Sequence, residues 1–245
     1  MKILAVQSRM GIGDTVIFLP FIKALSKKFN SPISILVKEN SKANQYLHQT
    51  NYIDNILILE RDNNNKNRHD GFLGIFNLAR DLKKYKFDKI FIFNSSVRFN
   101  IIARLSGIPK IYQYPLLTKN KQQIIEVPKK FLKANLDLDV DEDPEVQIDN
   151  ESISKAAKEF QLDKNTTNIL LGIGGSGPTK RIPAKTFIDV IEKISDIKRC
   201  RFFLATGKKI KEQEILNEIL QSKFKNFCTR LDNLTISEIL PLIKS

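Results

Sequence analysis

The chain has 245 residues, 42% apolar and 27% charged, a globular balance that argues against wholesale disorder and allows one large domain or two smaller ones. Its 40 basic against 27 acidic side chains give a formal charge of +13, and no apolar run approaches the ~18 residues of a membrane span. With two cysteines, Cys200 and Cys228, and two histidines, His48 and His69, the composition argues against a disulfide scaffold, a structural zinc site and a Cys/His nucleophile pair.

The opening MKILAVQSRMGIGD has one lysine and a short apolar run leading into a glycine turn, too little for a signal peptide, and predicts a cytoplasmic location. Lysine outnumbers arginine 30 to 10, without the clustered arginine and interleaved aromatics of a nucleic-acid binder, so no nucleic-acid partner is expected. The charge is unevenly spread: residues 137–151 hold eight acids and no base, whereas residues 1–136 hold 23 bases and 9 acids. An acidic, proline-containing stretch between basic parts predicts domains over 1–150 and 151–245.

In chain order, residues 2–7 read as a strand, 15–29 as a helix with Pro20 inside it, and 33–37 as a second strand. Residues 38–49 read as a helix, 56–59 as a third strand and 61–71 as a polar, asparagine-rich loop. A helix over 72–87 and a strand over 89–94 complete the alternation. Beyond the acidic stretch the pattern restarts: helix 152–162, strand 168–174, a Gly/Pro/Lys turn, helix 184–196, strand 201–207, helix 210–223 and a last helix from 235. Strands separated by helices predict an α/β protein with parallel sheets, two Rossmann-like halves facing a cleft. Only two strands are visible in the second half. It is therefore expected to be incomplete, with Ile215, Leu216, Ile219 and Leu220 partly uncovered.

Ligands of doubly wound sheets sit at the carboxyl ends of strands, where the turn Gly11-Ile12-Gly13-Asp14 falls. It matches a dinucleotide fingerprint poorly, because the third glycine would fall at Val16 and Glu39 comes late for a ribose-binding acid. Asp14 reads either as a helix N-cap or as a carboxylate presented to a substrate. The second turn, Gly174-Gly175-Ser176-Gly177-Pro178-Thr179-Lys180-Arg181, offers backbone N–H groups and cations that suit a phosphate ester, or is a flexible basic turn. Ser95, Ser96 and Arg98 follow the strand 89–94 at the same edge of the sheet. Glu212 is placed to cap a helix or to touch a ribose hydroxyl. His48 and His69 are assigned no role.

These motifs together resemble glycosyltransferase family 9. KILAVQ followed by GIGDTVIFLPFIKAL resembles the family's opening, with Gly13, Asp14 and Pro20 at its marked positions; SSVRFNIIARLSGIPKI (95–111) resembles its Ser-x-x-Arg stretch; GGSGPTKRIPAKTF (174–187) resembles its Lys-x-Trp-Pro turn, with Ile182 in place of the tryptophan. The resemblance implies a GT-B fold, with an acceptor-side domain over 1–150 and a partial donor-nucleotide domain over 151–245. It implies inverting, metal-independent transfer of a heptose from ADP-heptose to a lipopolysaccharide core, without a cofactor. Residue by residue it implies Asp14 as the acceptor base, Lys180 on the donor diphosphate, Ser176 beside it and Glu212 near the ribose, with Gly13 and Arg98 on the acceptor side or cleft. The implied partners are a nucleotide-diphosphate sugar donor and an anionic lipid-linked saccharide acceptor, met at the cytoplasmic face of the inner membrane. A further nucleotide-site turn is expected beyond Ser245, so that against the family the sequence is truncated at its carboxyl end. Two other functions remain open on the residues: a basic polyanion- or membrane-surface-binding module without catalysis, and an NAD-dependent oxidoreductase.

Overall fold

The structure, a computed structural model, describes residues 1–9, 11–62, 67–116, 124–163, 165–174 and 181–245. The protein divides into two compact units, Met1–Gln147 and Ile148–Ser245.

Unit 1 runs β1 (Ile3–Val6), α1 (Ile12–Phe29), β2 (Ile33–Lys38), β3 (Ile53–Leu59), α2 (Leu73–Lys83), β4 (Lys89–Ile92), α3 (Val97–Leu105), β5 (Lys110–Gln113) and α4 (Glu126–Leu136). The sheet is parallel in the order β3-β2-β1-β4-β5. Because β1 is followed by β2 on one side and has β4 on the other, the strand order reverses between β1 and β4, and a crevice opens at their carboxyl ends. Apolar residues fill both faces of β1, as a centrally placed parallel strand requires. Leu4, Val6, Ile90 and Ile92 pack under α2 and α3 through Leu78, Leu82, Phe99 and Ile102. On the other face Phe18 of α1, Phe93, Tyr114 and Phe131 of α4 form an edge-to-face aromatic row.

Three expectations change here. The helix expected over 38–49 is instead two 3-10 turns, Glu39–Ser41 and Ala43–Gln45, separated by Lys42 in the left-handed region at φ 52°. Buried Ala43, Tyr46 and Leu47 carry the helix-like spacing behind that expectation. The strand β5 has no counterpart in the sequence pattern, since four residues of mixed exposure show no period. Helix α1 starts at Ile12, so Gly13 and Asp14 lie inside it rather than before it.

The acidic stretch as far as Gln147 is part of unit 1 rather than a bare connector. Glu142 pairs with Lys23 and Lys27 of α1, Asp141 with Lys129 of α4, and Asp137 and Asp139 with Lys133. Val140 is buried, and the Gln147 side chain accepts from the Asn51 N–H at 2.9 Å. These are surface pairs of small individual value. Their effect is to neutralise the α1–α4 side of the unit.

Unit 2 runs α5 (Asn150–Glu159), β6 (Thr167–Ile173), α6 (Ala184–Ser195), β7 (Cys200–Thr206), α7 (Ile210–Gln221), β8 (Cys228–Asp232) and α8 (Ile236–Lys244). Its sheet is parallel in the order β6-β7-β8. The third strand corrects the expectation of two; CTRLD lies on an edge, carries two consecutive polar residues at Thr229 and Arg230, and shows only Leu231 as a buried apolar residue. The apolar face expected to lie open is largely closed: Leu216 and Ile219 of α7 are fully buried, with Ile215 and Leu220 packed beside them against Phe202, Leu204 and Ile191. The opposite face is thinner, with Ala156, Phe203, Leu231 and Leu242 as its buried residues.

Candidate functional site

In unit 1 the crevice is bordered by the turn after β1 and the turn after β4. Gln7, buried at the end of β1, donates through Nε2 to the Asp14 carbonyl at 3.0 Å and accepts from the Arg9 N–H. The Gly11 N–H donates to Asp14 Oδ2 at 3.0 Å. Asp14 is therefore not the N-cap but the third helical residue, reaching back over the first turn as half of a capping box. A Cβ at position 11 would stand 3.0 Å from that oxygen, so glycine leaves the return bond its room. Asp14 Oδ1 makes no bond among the described residues, and nothing lies within 4 Å of a Cβ built on Gly13. The carboxylate is thus oriented through one oxygen and open through the other.

Across the crevice Asn94 bonds to Ser8 Oγ at 3.2 Å and accepts from the Ser96 N–H at 2.9 Å, joining the two turns. Arg98 is placed otherwise than a free cleft cation. Its guanidinium donates to the carbonyls of Gly71 at 2.7 Å and His69 at 2.6 Å, tying the start of α3 to the start of α2. Burial, with Arg61 nearby, lowers its pKa from the ordinary arginine value. His69, given no role by the sequence, is a buried strut. Its Nδ1 accepts from the Glu60 N–H at 3.0 Å, so the hydrogen sits on Nε2, which faces Asp81 Oδ2 at 3.3 Å.

In unit 2 Ser176 and Lys180 lie outside the described residues, and Gly174 ends the described part of that turn. Glu212 is the third residue of α7 and only 5% exposed. Its Oε2 accepts from the Gly207 N–H at 3.2 Å, and Lys209 stands 3.7 Å from Oε1. A Cβ on Gly207 would meet Oε2 at 2.8 Å, and one on Gly174 would meet the carboxyl carbon at 3.2 Å. The acid is therefore enclosed by two glycines at the carboxyl ends of β6 and β7.

Beside it lies a network that the sequence pattern does not announce. Gln213 Nε2 donates to the Gly207 carbonyl at 2.8 Å and to Asp232 Oδ1 at 2.6 Å, and Arg230 bonds both Gln213 Oε1 and Asp232 Oδ2 at 2.7 Å. The Gln213 bond, with Thr206 and Arg230, holds the Asp232 carboxyl below the usual carboxylate range. The signal that could have found it is the polar end of β8, which shows only once β8 itself is recognised. Among the described residues no group of three or more His, Cys, Asp or Glu is placed to hold a metal ion, and no helix is long and apolar enough to cross a membrane.

Residues 75–245 match the sequence profile of glycosyltransferase family 9 (heptosyltransferase). No curated protein matches the sequence. Among solved structures, E. coli ADP-heptose lps heptosyltransferase II is similar with a TM-score of 0.71 at 16% identity, over 99% of this chain and 76% of that one. A family 9 glycosyltransferase from Veillonella parvula gives 0.74 at 20% identity, over 98% and 72%. E. coli heptosyltransferase WaaC with ADP-2-deoxy-2-fluoro heptose gives 0.67 at 12% identity, over 99% and 80%. At these identities the likeness establishes the fold: α/β with parallel sheets, of GT-B type.

Proposed function

The chain belongs to glycosyltransferase family 9, and from that premise we propose that it transfers a heptose from ADP-heptose to a hydroxyl of a lipopolysaccharide core, with inversion and without a metal or cofactor. Unit 1 is the acceptor side and unit 2 the donor side, and the reaction takes place at the cytoplasmic face of the inner membrane. The observation that carries the reading is Asp14, oriented at the strand-order reversal with one carboxylate oxygen unengaged among the described residues. An acceptor hydroxyl approaching the open side of Gly13 would attack the anomeric carbon as the bond from that carbon to the diphosphate oxygen breaks. Its proton passes to Asp14 Oδ1 late in the step, when the attacking oxygen has become acidic. The departing diphosphate gathers negative charge, which Lys180 stabilises with Ser176 beside it. Glu212 receives a ribose hydroxyl as an acceptor; its glycine enclosure fits a carboxylate held in one orientation. That WaaC was solved with an ADP-heptose analogue supports the ADP-sugar assignment.

The test is calorimetric titration with ADP-, UDP- and GDP-sugars, followed by transfer assays on a core acceptor. ADP-heptose is expected to bind in preference to the other two and to be consumed. Tighter binding of a UDP- or GDP-sugar would replace the donor, a question sharpened by exposed Ile182 where the family has tryptophan. Absence of binding to all three would overturn the transferase reading.

A further inference from the structure

The two most exposed large apolar residues described in unit 1, Phe72 and Leu73, share one surface with Phe76, Val97, Ile101 and Leu105. On α2 the exposed stripe runs Phe72, Leu73, Phe76, then Arg80, Lys83 and Lys84, a spacing of about one turn per step. On the adjoining α3 it runs Val97, Ile101, Arg104 and Leu105. Phe72 and Leu73 are each 73% exposed, although burial of such side chains is normally favourable. The Phe72 and Phe76 rings pack edge to face, with centroids 5.4 Å apart, which stiffens them as a raised apolar ridge. Contiguous exposed ridges of this kind on a folded unit mark a surface that meets something else.

Charge identifies the occupant. On the opposite side of the sheet, the acids of 137–142 neutralise Lys23, Lys27, Lys129 and Lys133. On the α2–α3 side Arg80, Lys83 and Arg104 have no acidic partner among the described residues. The one acid along α2, Asp81, is already taken by Arg68, His69 and Lys84, and Asp70 is buried with its oxygens on the Asp62 and Asn67 N–H groups. An apolar ridge continued by unpaired cations is the pattern that lies in the headgroup zone of an anionic bilayer.

We infer that the α2–α3 face of unit 1 is a docking surface for an anionic lipid bilayer, with Phe72, Leu73, Phe76, Val97 and Ile101 entering the interface and Arg80, Lys83 and Arg104 meeting the headgroups. Arg98 fixes the two ends that carry Phe72, Leu73 and Val97 to each other. Both helices begin at the carboxyl edge of the sheet, the edge that carries Asp14, so docking there would bring a lipid-anchored acceptor to the base; that use rests on the proposed function, whereas the docking itself does not.

The test is sedimentation of the full-length protein with vesicles of phosphatidylcholine alone and of an equimolar mixture with phosphatidylglycerol, with no sugar nucleotide present. The wild type is expected to bind the mixed vesicles. Phe72→Ser/Leu73→Ser/Phe76→Ser should bind at least about tenfold more weakly, and Arg80→Gln/Lys83→Gln/Arg104→Gln about a hundredfold, at about fivefold per charge. Ile197→Ser, which removes an equally exposed apolar side chain from unit 2, should bind like wild type. All substituted side chains are exposed, and an unchanged thermal transition checks the fold; should the serine variant unfold, the charge variant decides. No binding by wild type, or equal binding by the charge variant, overturns the inference. So does equal binding by a folded serine variant, or a wild-type dimer in ultracentrifugation that the serine variant splits. Vesicle binding without donor binding would sink the proposed function and leave the surface standing.

Discussion

Asp14 in α1 and Glu212 in α7 are each the third residue of a helix that follows a buried strand, and each turns its carboxylate back to a glycine N–H. The same local device yields two different chemical groups because the glycines around it differ in number and position. Asp14 has one close glycine, Gly11, and an open one, Gly13, so half of its carboxylate stays available. Glu212 has Gly207 against one oxygen and Gly174 over the carboxyl carbon, so it is held by backbone on two sides. A proton acceptor needs an exposed oxygen that a reacting group reaches; an acid that only orients a hydroxyl gains from enclosure. Among the described residues the units that carry them differ likewise, unit 1 with five strands and helices over both faces, unit 2 with three strands and a thin second face.

The largest expected effect falls on the open acid. Asp14→Asn keeps an oxygen to accept from the Gly11 N–H, so the fold should survive, while the proposed base is lost. Transfer should fall by about 10²–10⁴-fold with an unchanged thermal transition. Near wild-type turnover would reduce Asp14 to a capping residue. Next come the proposed donor contacts. Lys180→Ala and Glu212→Gln should each weaken nucleotide-sugar binding by about 10–150-fold in calorimetry, with acceptor affinity unchanged. Gly207→Ala sharpens the comparison, because the new methyl must displace the Glu212 carboxylate. It should mimic Glu212→Gln, whereas Gly13→Ala, with open space around it, should not disturb Asp14. Equal donor affinity in Gly207→Ala and wild type would show that the enclosure has no role.

How much of this was legible beforehand follows from which residues carry a period. β1, β2, β4 and β7 are buried on both faces or close to it, and their apolar runs stand out along the sequence; the run of β6 stands out too, although its alternate residues are exposed. Edge strands β5 and β8 carry one or no fully buried apolar residue, and only their neighbours define them. The 3-10 turns after β2 imitate a helix through Ala43, Tyr46 and Leu47, while the interruption lies in the φ of Lys42, which composition does not record. For the site, positions were readable because strand ends locate them; partners were not. Nothing in the order of residues says that Arg98 spans to the carbonyls of residues 69 and 71, or that Gln213 joins Thr206 to Asp232.

The difference in cores predicts a difference in opening. In hydrogen exchange, the amides of β1, with residues 3–6 buried and a strand on either side, should be the slowest in the protein, and those of β6, an edge strand with alternate residues half-exposed, should exchange at least about tenfold faster. Equal protection in the two strands would mean that the three-stranded unit is no weaker than the five-stranded one.

The smallest effect concerns a third acid, which belongs to unit 1 alone and titrates without touching the chemistry. Arg68 clamps Asp81 with two bonds of 2.9 Å, and Lys84 and His69 add their own. Arg68 above all holds the Asp81 carboxyl well below the usual carboxylate range. A depressed folded value means that the ionised form is favoured by folding. The stabilisation is complete above the ordinary value near pH ~4 and is lost as the pH falls from there through the folded value. The group is partly exposed, so screening limits the gain to about 1–2 kcal/mol. Asp81→Asn still accepts from His69 but cannot pair with Arg68 or Lys84. At neutral pH it should unfold below wild type by roughly 2–8 °C, at about 2–4 °C per kcal/mol for a protein of this size. The gap should close as the pH is lowered below about 4 and the wild-type carboxylate is neutralised. A gap that stays constant from neutral to acid pH would assign the loss to packing around His69 instead of to charge. In that case no acid-sensitive strut separates the stability of unit 1 from that of unit 2.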